Sequence, residues 1–450
     1  MDSTNAPLHT WAAARALDAM ARGAVSAERY AHALLERVDA VDQNIQAWAW
    51  LDRERLMALA RDADRLRRAG AAAAPLLGLP VGLKDIIDVH GVPTERGTVL
   101  HAGRLGPRDA SLVRRLRDAG GLVMGKTVTT ELATYAPGKT RNPHDASRTP
   151  GGSSSGSAAA VAAGMVPLAV GTQTNGSVVR PASFCGVVGF KPTFGLIARS
   201  GVLTQSPGLD QVGVFARTVD DASLLAQCLV GPDDADPSSL RAPLSVRWLA
   251  AHDPHAMAAP PRVGICRTPF WQRVDTDARA AFDRWAAGLG GIAAPVDLPA
   301  EAEAAVSWHR TLMEADIAGS FEAEYERGRE QLSPSLRGQI ERGRAVTAVE
   351  HRRCAASAAR FADALEPLFD AFDVLATPAA LGVAPEGLSS TGDPLMSTLW
   401  SLTGQPALSL PLLSAAPGLP LGVQLVGRRH DDARLLRAAR WLESAAPSGS

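Results

Sequence analysis

The chain has 450 residues, 46% of them hydrophobic, and a formal net charge of -1. That composition belongs to a globular protein with a large core and excludes a disordered or fibrous chain. Near-zero charge leaves no electrostatic footprint for nucleic acid or anionic lipid.

Residues 1–11 include Asp2 and contain neither a basic nor an apolar leader segment, so no secretory signal is expected. Residues 10–68 are rich in Ala, Leu, Arg and Glu with helical periodicity, broken near Gly23 and Asn44. Ser26 is placed to cap a helix, with Glu28 in its first turn. Residues 1–75 therefore read as a helical lead-in. Residues 79–83 read as a buried strand running into Lys84 and Asp85. Helix and strand signals then alternate: helix 111–119, strand 122–124, helix 157–163, strand 166–170, strand 187–190. Residues 231–261, rich in Asp, Pro, Ser and Ala, read as a surface connection. The HxxH of His252 and His255 lies there, isolated, and is not expected to bind metal. A strand at 262–266, a helix at 277–289 and a helical block at 301–372 follow, with breaks near Gly319 and Pro334. Strands at 374–376, 407–410 and 423–426 and a helix at 431–443 end the chain. The alternation predicts an α/β layered fold in one compact domain. Its core spans 76–450, with a variable, mostly helical insertion at about 240–372.

Cys185, Cys228, Cys266 and Cys354 are scattered, with no CxxC pair. That fits a reducing cytoplasmic setting and argues against a disulfide framework or a zinc site. The apolar run 158–171 is too short to span a bilayer, so no membrane association is expected.

Three motifs compete for the chemistry. GGLVMGKT at 120–127 matches a phosphate-binding loop, but that loop needs a strand before it, and here a helix precedes. Its apolar 122–124 reads better as a buried strand. GSSSG at 152–156 matches the GxSxG nucleophile elbow, centred on Ser154. The elbow also needs a preceding strand, whereas 141–151 is polar and holds two prolines. The third reading takes the whole region. A Gly/Ser loop at 151–157 opens a helix, a strand follows, and a second loop of small residues spans 172–177. No charge appears from Thr149 to Val179, and then comes Arg180. Small uncharged residues suit a site where backbone approaches substrate closely.

On these residues the sequence resembles the amidase signature family. GGSSSGSAAA (151–160), GTQTNGS (171–177) and RPASFCGVVGFKPT (180–193) make a long, specific match. LPVGLKD (79–85) looks like that family's lysine segment; Asn142-Pro143, Leu209-Asp210 and GLPLGVQ (418–424) look like its flanking pieces. The resemblance implies a large mixed, mostly parallel twisted β-sheet covered by helices on both faces. It also implies a triad of Lys84 as base, Ser153 as bridging serine and Ser177 as nucleophile, with a cis bond at Gly152–Ser153. Ser154 is expected to support the loop or contact substrate, and is the neighbour that a slip of one residue would choose. The N–H groups of Thr174, Asn175, Gly176 and Ser177 become the expected oxyanion hole, and Asn175 stands where many relatives have glycine. Arg180 either supports the loop or grips a substrate carboxylate. Asp85 and Asp210 read as structural partners.

The activity implied is acyl-enzyme hydrolysis of a small amide, aryl amide or carbamate (urethane), with no cofactor and no metal. A lysine can act as base only when neutral, which burial achieves by lowering its pKa. Tyr135 and Trp400, along with Trp308, Met313 and Met396, lie in segments that could line the substrate pocket. The rival readings are an amidotransferase-type catalytic subunit that needs a partner chain, and a GxSxG esterase. A small-molecule substrate and a homodimer are the expected associations.

Overall fold

The computed structural model describes residues 6–70, 74–241, 259–416 and 418–445. The HxxH pair lies outside them. Helices α1 (Ala13–Ala21) and α2 (Ala27–Ile45) open the chain. The Ser26 hydroxyl caps α2 by accepting the Arg29 N–H at 3.0 Å. Strand β1 (Trp48–Leu51), helix α3 (Arg53–Arg68), strand β2 (Pro80–Lys84), helix α4 (Ser111–Asp118) and strand β3 (Leu122–Thr127) follow. Here the lead-in departs from the expected all-helical segment. Gln46 ends α2 in the left-handed conformation, and β1 pairs antiparallel with β3. The bulky sequence Trp-Ala-Trp-Leu packs on a pleated edge better than on a helix.

The middle of the chain contributes α5 (Ser155–Ala162), β4 (Leu168–Gln173), α6 (Val179–Cys185), β5 (Val188–Lys191), β6 (Gln211–Ala216) and α7 (Val219–Leu229). Next come β7 (Val263–Cys266), α8 (Thr276–Gly288) and β8 (Ala293–Val296). A helical lobe is built from α9 (Ala302–Ser320), α10 (Glu322–Gly328), α11 (Pro334–Arg344), α12 (Ala348–Leu365) and α13 (Leu368–Ala371). Strand β9 (Val374–Pro378), helix α14 (Leu395–Leu402), strands β10 (Ala407–Ala415) and β11 (Leu419–Val426), and helix α15 (Asp432–Ala445) complete the fold.

The eleven strands of the described residues form one mixed sheet in the order β1-β3-β2-β4-β6-β5-β10-β11-β9-β7-β8. Helices α5 and α6 pack together on one face, while α4, α7 and α15 cover the same central strands from the other. The sheet is large and mixed, as the resemblance implies, but parallel pairs are not the majority. Only β3–β2, β2–β4, β9–β7 and β7–β8 are parallel among the described residues. Two connections contribute to this. β5 returns beside β6 through residues 192–210 without a crossover helix, and β10–β11 is a hairpin; both geometries force antiparallel neighbours.

Apolar side chains such as Val81, Leu83, Val170, Phe215 and Leu408 fill the main core along the sheet. A second cluster, including Ile317, Phe321, Leu336, Phe361 and Trp400, binds the lobe to the sheet. Among the described residues no helix is long and apolar enough to cross a membrane. Because β2 and β4 are parallel neighbours, with Leu83 opposite Val170, their carboxyl ends reach the same edge. In α/β sheets that edge is where ligands bind.

Candidate active site

Lys84 ends β2 and is fully buried. Its Nζ lies 2.7 Å from Ser153 Oγ and 2.8 Å from Thr172 Oγ1. No carboxylate forms an ion pair with it among the described residues. The neighbouring Asp85 is taken instead by Lys126 of β3, at 3.0 Å. Register decides this, because β2 and β3 place Lys126 opposite Leu83. Burial therefore holds the Lys84 pKa well below the ordinary lysine value, opposed by the charge of Asp210. The result is an amine whose charged form is disfavoured, set against a serine hydroxyl.

Four nearby serines are separated by their partners. The Ser154 hydroxyl donates to the Thr172 carbonyl at 3.1 Å and accepts the Thr172 N–H at 3.2 Å. Gly171 permits this approach, since a Cβ there would lie 2.6 Å from Ser154 Oγ. Ser155 Oγ donates to the Gly151 carbonyl, and Ser157 Oγ to that of Val170. Only Ser153 meets the lysine. The bond before it, Gly152–Ser153, is cis. Arg180 Nη2 holds this turn by donating to the Gly152 carbonyl at 2.7 Å. The start of α5 is pressed against the sheet: a Cβ on Gly156 would fall 2.3 Å from the Ala47 carbonyl.

The second loop runs from the end of β4 into α6. Gln173 Oε1 accepts the N–H groups of Val178 and Val179, at 2.8 and 3.0 Å, and so caps α6. Thr174 Oγ1 lies 2.7 Å from Gln205 Oε1 and 2.6 Å from Asp210 Oδ1. Burial pushes Asp210 up to about 6, against the hydrogen bonds it accepts from Thr174, Gln205 and Ser206. Ser177 follows Gly176 and is partly exposed, unlike the loop residues around it. Among the described residues, the backbone N–H groups of Asn175, Gly176 and Ser177 meet no acceptor.

Ser177 faces a space of only about 20 Å³, lined by Tyr135, Asn175, Arg180, Met313, Ile317 and Gln339, among others. A cavity of about 390 Å³ adjoins it; Ala133, Thr174 and Gln205 line both, and the larger one reaches Thr172 and Asp210. The Asn175 side chain accepts from Thr398 Oγ1 at 2.8 Å and points its amide at Tyr135 Oη, 3.4 Å away. Arg180 is buried, and two of its nitrogens, Nε and Nη1, have no partner among the described residues. Burial lowers its pKa to about 10.

Trp400 does not join this group. It lies on α14, is fully buried in the lobe cluster and lines neither space. The phosphate-loop reading fails as well. Residues 122–127 are strand β3, and Lys126 is sealed in by Asp85 and Thr94. Sequence reasoning gave no role to Thr172, Gln173, His309 or Ser401. Thr172 was legible in principle, because it leaves β4 beside the end of β2. His309 was not, since it reaches the loop from α9.

The site therefore brings together a buried lysine with a lowered pKa, a serine hydroxyl in contact with it and, nearby, a loop whose N–H groups meet no acceptor among the described residues; no hydrogen bond joins Ser153 to Ser177 there. The amidase family model matches residues 29–436, and the chain belongs to that family. It is 38% identical to a glutamyl-tRNA(Gln) amidotransferase subunit from Anaeromyxobacter sp. (strain K), over 94% of each chain. A solved structure described as a vestigial protein complex revealing the origins of an s-triazine catabolic enzyme superposes with a TM-score of 0.88. That chain is 29% identical, and the match covers 96% of this protein and 98% of the other. The peptide amidase of Stenotrophomonas maltophilia gives a TM-score of 0.84 at 29% identity, covering 99% and 98%. The enzyme class is that of amidases and amidotransferases acting on carbon–nitrogen bonds.

Proposed function

We propose that the protein is an amidohydrolase that cleaves the C–N bond of a small amide, aryl amide or carbamate through an acyl-enzyme on Ser177. The observation behind this reading is the 2.7 Å contact between Ser153 and buried Lys84, which has no ion-pair partner among the described residues. Neutral Lys84 accepts the Ser153 proton while Ser153 takes that of Ser177, whose Oγ attacks the carbonyl carbon. The oxyanion that forms is met by the N–H groups of the loop from Thr174 to Ser177. On collapse, the Lys84 ammonium returns the proton through Ser153 to the departing nitrogen, and the C–N bond breaks. Water then hydrolyses the acyl-enzyme by the same relay. Carbamates and ureas fit because the nucleophile and the hole serve any C(=O)–N centre.

The tight space at Ser177 supports a small acyl group, and the larger cavity beyond Thr174 offers room for the rest of the substrate. Arg180 offers unpaired donors to a polar or carboxylate group on the acyl side. Hydrolysis of a panel of amides, anilides, carbamates, ureas and esters tests the reading, with Ser177→Ala as control. Turnover that survives in Ser177→Ala removes it.

A second reading, a catalytic subunit of an amidotransferase, is favoured by the identity to relatives of that name along nearly their whole length. The two separate on one measurement. The purified chain alone hydrolyses a simple amide under the first reading and does so only with a partner chain under the second.

A further inference from the structure

Three carbonyls of the loop at 174–177 are each held by a donor from outside the loop. The Thr174 carbonyl accepts from His309 Nε2 at 3.0 Å. The Asn175 carbonyl accepts from Ser401 Oγ, and that of Gly176 from the Arg180 N–H at 3.0 Å. In a trans peptide the N–H points opposite to the C=O of the same unit. Fixing these three carbonyls therefore fixes the directions of the Asn175, Gly176 and Ser177 N–H groups, the same three that have no acceptor of their own.

We propose that His309, in the helical lobe, is a positioning residue for acyl transfer: by holding the Thr174 carbonyl it aims the Asn175 N–H at the substrate oxyanion. The inference rests on the reading of Ser177 as nucleophile. His309 touches no reacting atom. It sits on α9, fully in the interior, and a carbonyl partner requires that Nε2 carry the ring proton. Burial lowers its pKa to about 4, so the ring stays a neutral, single-tautomer donor at ordinary pH. His309, Met313 and Ile317 fall at i, i+4 and i+8, one face of α9. Met313 and Ile317 line the space at Ser177. One helix face thus walls the acyl pocket and also sets the electrostatics of the hole, which ties substrate fit to rate.

The test uses a probe that does not depend on knowing the substrate: sulfonylation of Ser177 by methanesulfonyl fluoride, whose single methyl suits the tight space there, followed by peptide mass spectrometry. The serine oxygen attacks sulfur, fluoride leaves, and charge builds on a sulfonyl oxygen in the hole. His309→Gln places its amide N–H near the reach of Nε2, whereas His309→Asn reaches only as far as Nδ1. Labelling should fall about 10- to 100-fold in His309→Asn, less than for outright loss of a donor, and stay within about threefold of wild type in His309→Gln. Equal rates in His309→Asn and wild type overturn the inference while leaving the nucleophile intact. Equal slowing in Asn and Gln variants also overturns it, since bulk packing rather than donation would then matter. Absence of label on Ser177 in the wild-type protein sinks the nucleophile reading itself, and this inference with it.

Discussion

Thr172→Val tests whether Lys84 is a neutral base that becomes an ammonium in the transition state. Valine keeps the branched shape and deletes only the hydroxyl 2.8 Å from Nζ. When Lys84 takes the relayed proton, that contact becomes a charge-assisted hydrogen bond, a kind worth about 1.5–3 kcal/mol. The contact is stronger in the transition state than at rest, so its loss falls on kcat, by about 10- to 150-fold. A pH signature accompanies it. The amine is active and the ammonium is not, so activity is lost as pH falls through the Lys84 pKa, which burial already depresses. Removing an acceptor destabilises the ammonium further, and the acid limb of kcat/KM in Thr172→Val moves to lower pH. Thr172→Ser keeps the hydroxyl and should stay within about threefold of wild type. The assay is steady-state hydrolysis, across pH, of whichever amide the wild-type enzyme turns over. An unchanged kcat in Thr172→Val, or an acid limb that moves upward, refutes the role given to Lys84.

Ser177→Ala is expected to abolish hydrolysis, whereas Ser154→Ala should keep measurable turnover and lose about 1–3 kcal/mol of stability by stranding the Thr172 backbone groups; urea melts and kinetics on both variants separate these fates. Asn175→Gly frees the loop from Thr398 and should lower kcat by about tenfold with little change in melting temperature. Lys191 Nζ donates to Gln211 and to the Gln405 carbonyl, and burial lowers its pKa to about 7. Between that value and the unfolded lysine value of ~10.4, the unfolded chain binds more protons, so this group makes stability rise with pH by up to about 1.4 kcal/mol per unit. Denaturant melts from pH 7 upward should lose that slope in Lys191→Met.

Much of the site was legible because its parts are local in sequence. Small uncharged residues at 151–157 and 171–177 announce loops where backbone must approach substrate, and a lysine directly after an apolar strand announces a buried amine. Helices with caps and the apolar strands of the sheet centre were readable from periodicity, as at Ser26 and β2. β1 was not, because four residues joined to two helices offer no period to count. Strand direction was hidden as well, since antiparallel pairing of β5 and β6 depends on a long loop that has no helical pattern. Trp400 shows the limit for large apolar side chains: a pocket wall and a core look alike in sequence, and here the core won. His309 lies 135 residues from the carbonyl it holds, and a lone histidine on a helix says nothing of that distance.

The lowered pKa of Lys84 is the clearest case of chemistry set by register rather than by sequence. Lys84 and Asp85 are adjacent in the chain, and in isolation that pair suggests a salt bridge. In a strand, neighbours point to opposite faces, so the carboxylate turns away from the amine that precedes it. The parallel pairing of β2 with β3 brings Lys126 to Asp85, and the two close a buried ion pair with Thr94. Removing one partner from such a pair strands the other charge, which is why Asp85 stays committed to Lys126. Lys84 is left with two hydroxyls and, among the described residues, no ion-paired carboxylate, the condition that disfavours a buried ammonium even against the more distant charge of Asp210. One pairing thus satisfies one lysine and leaves the other basic.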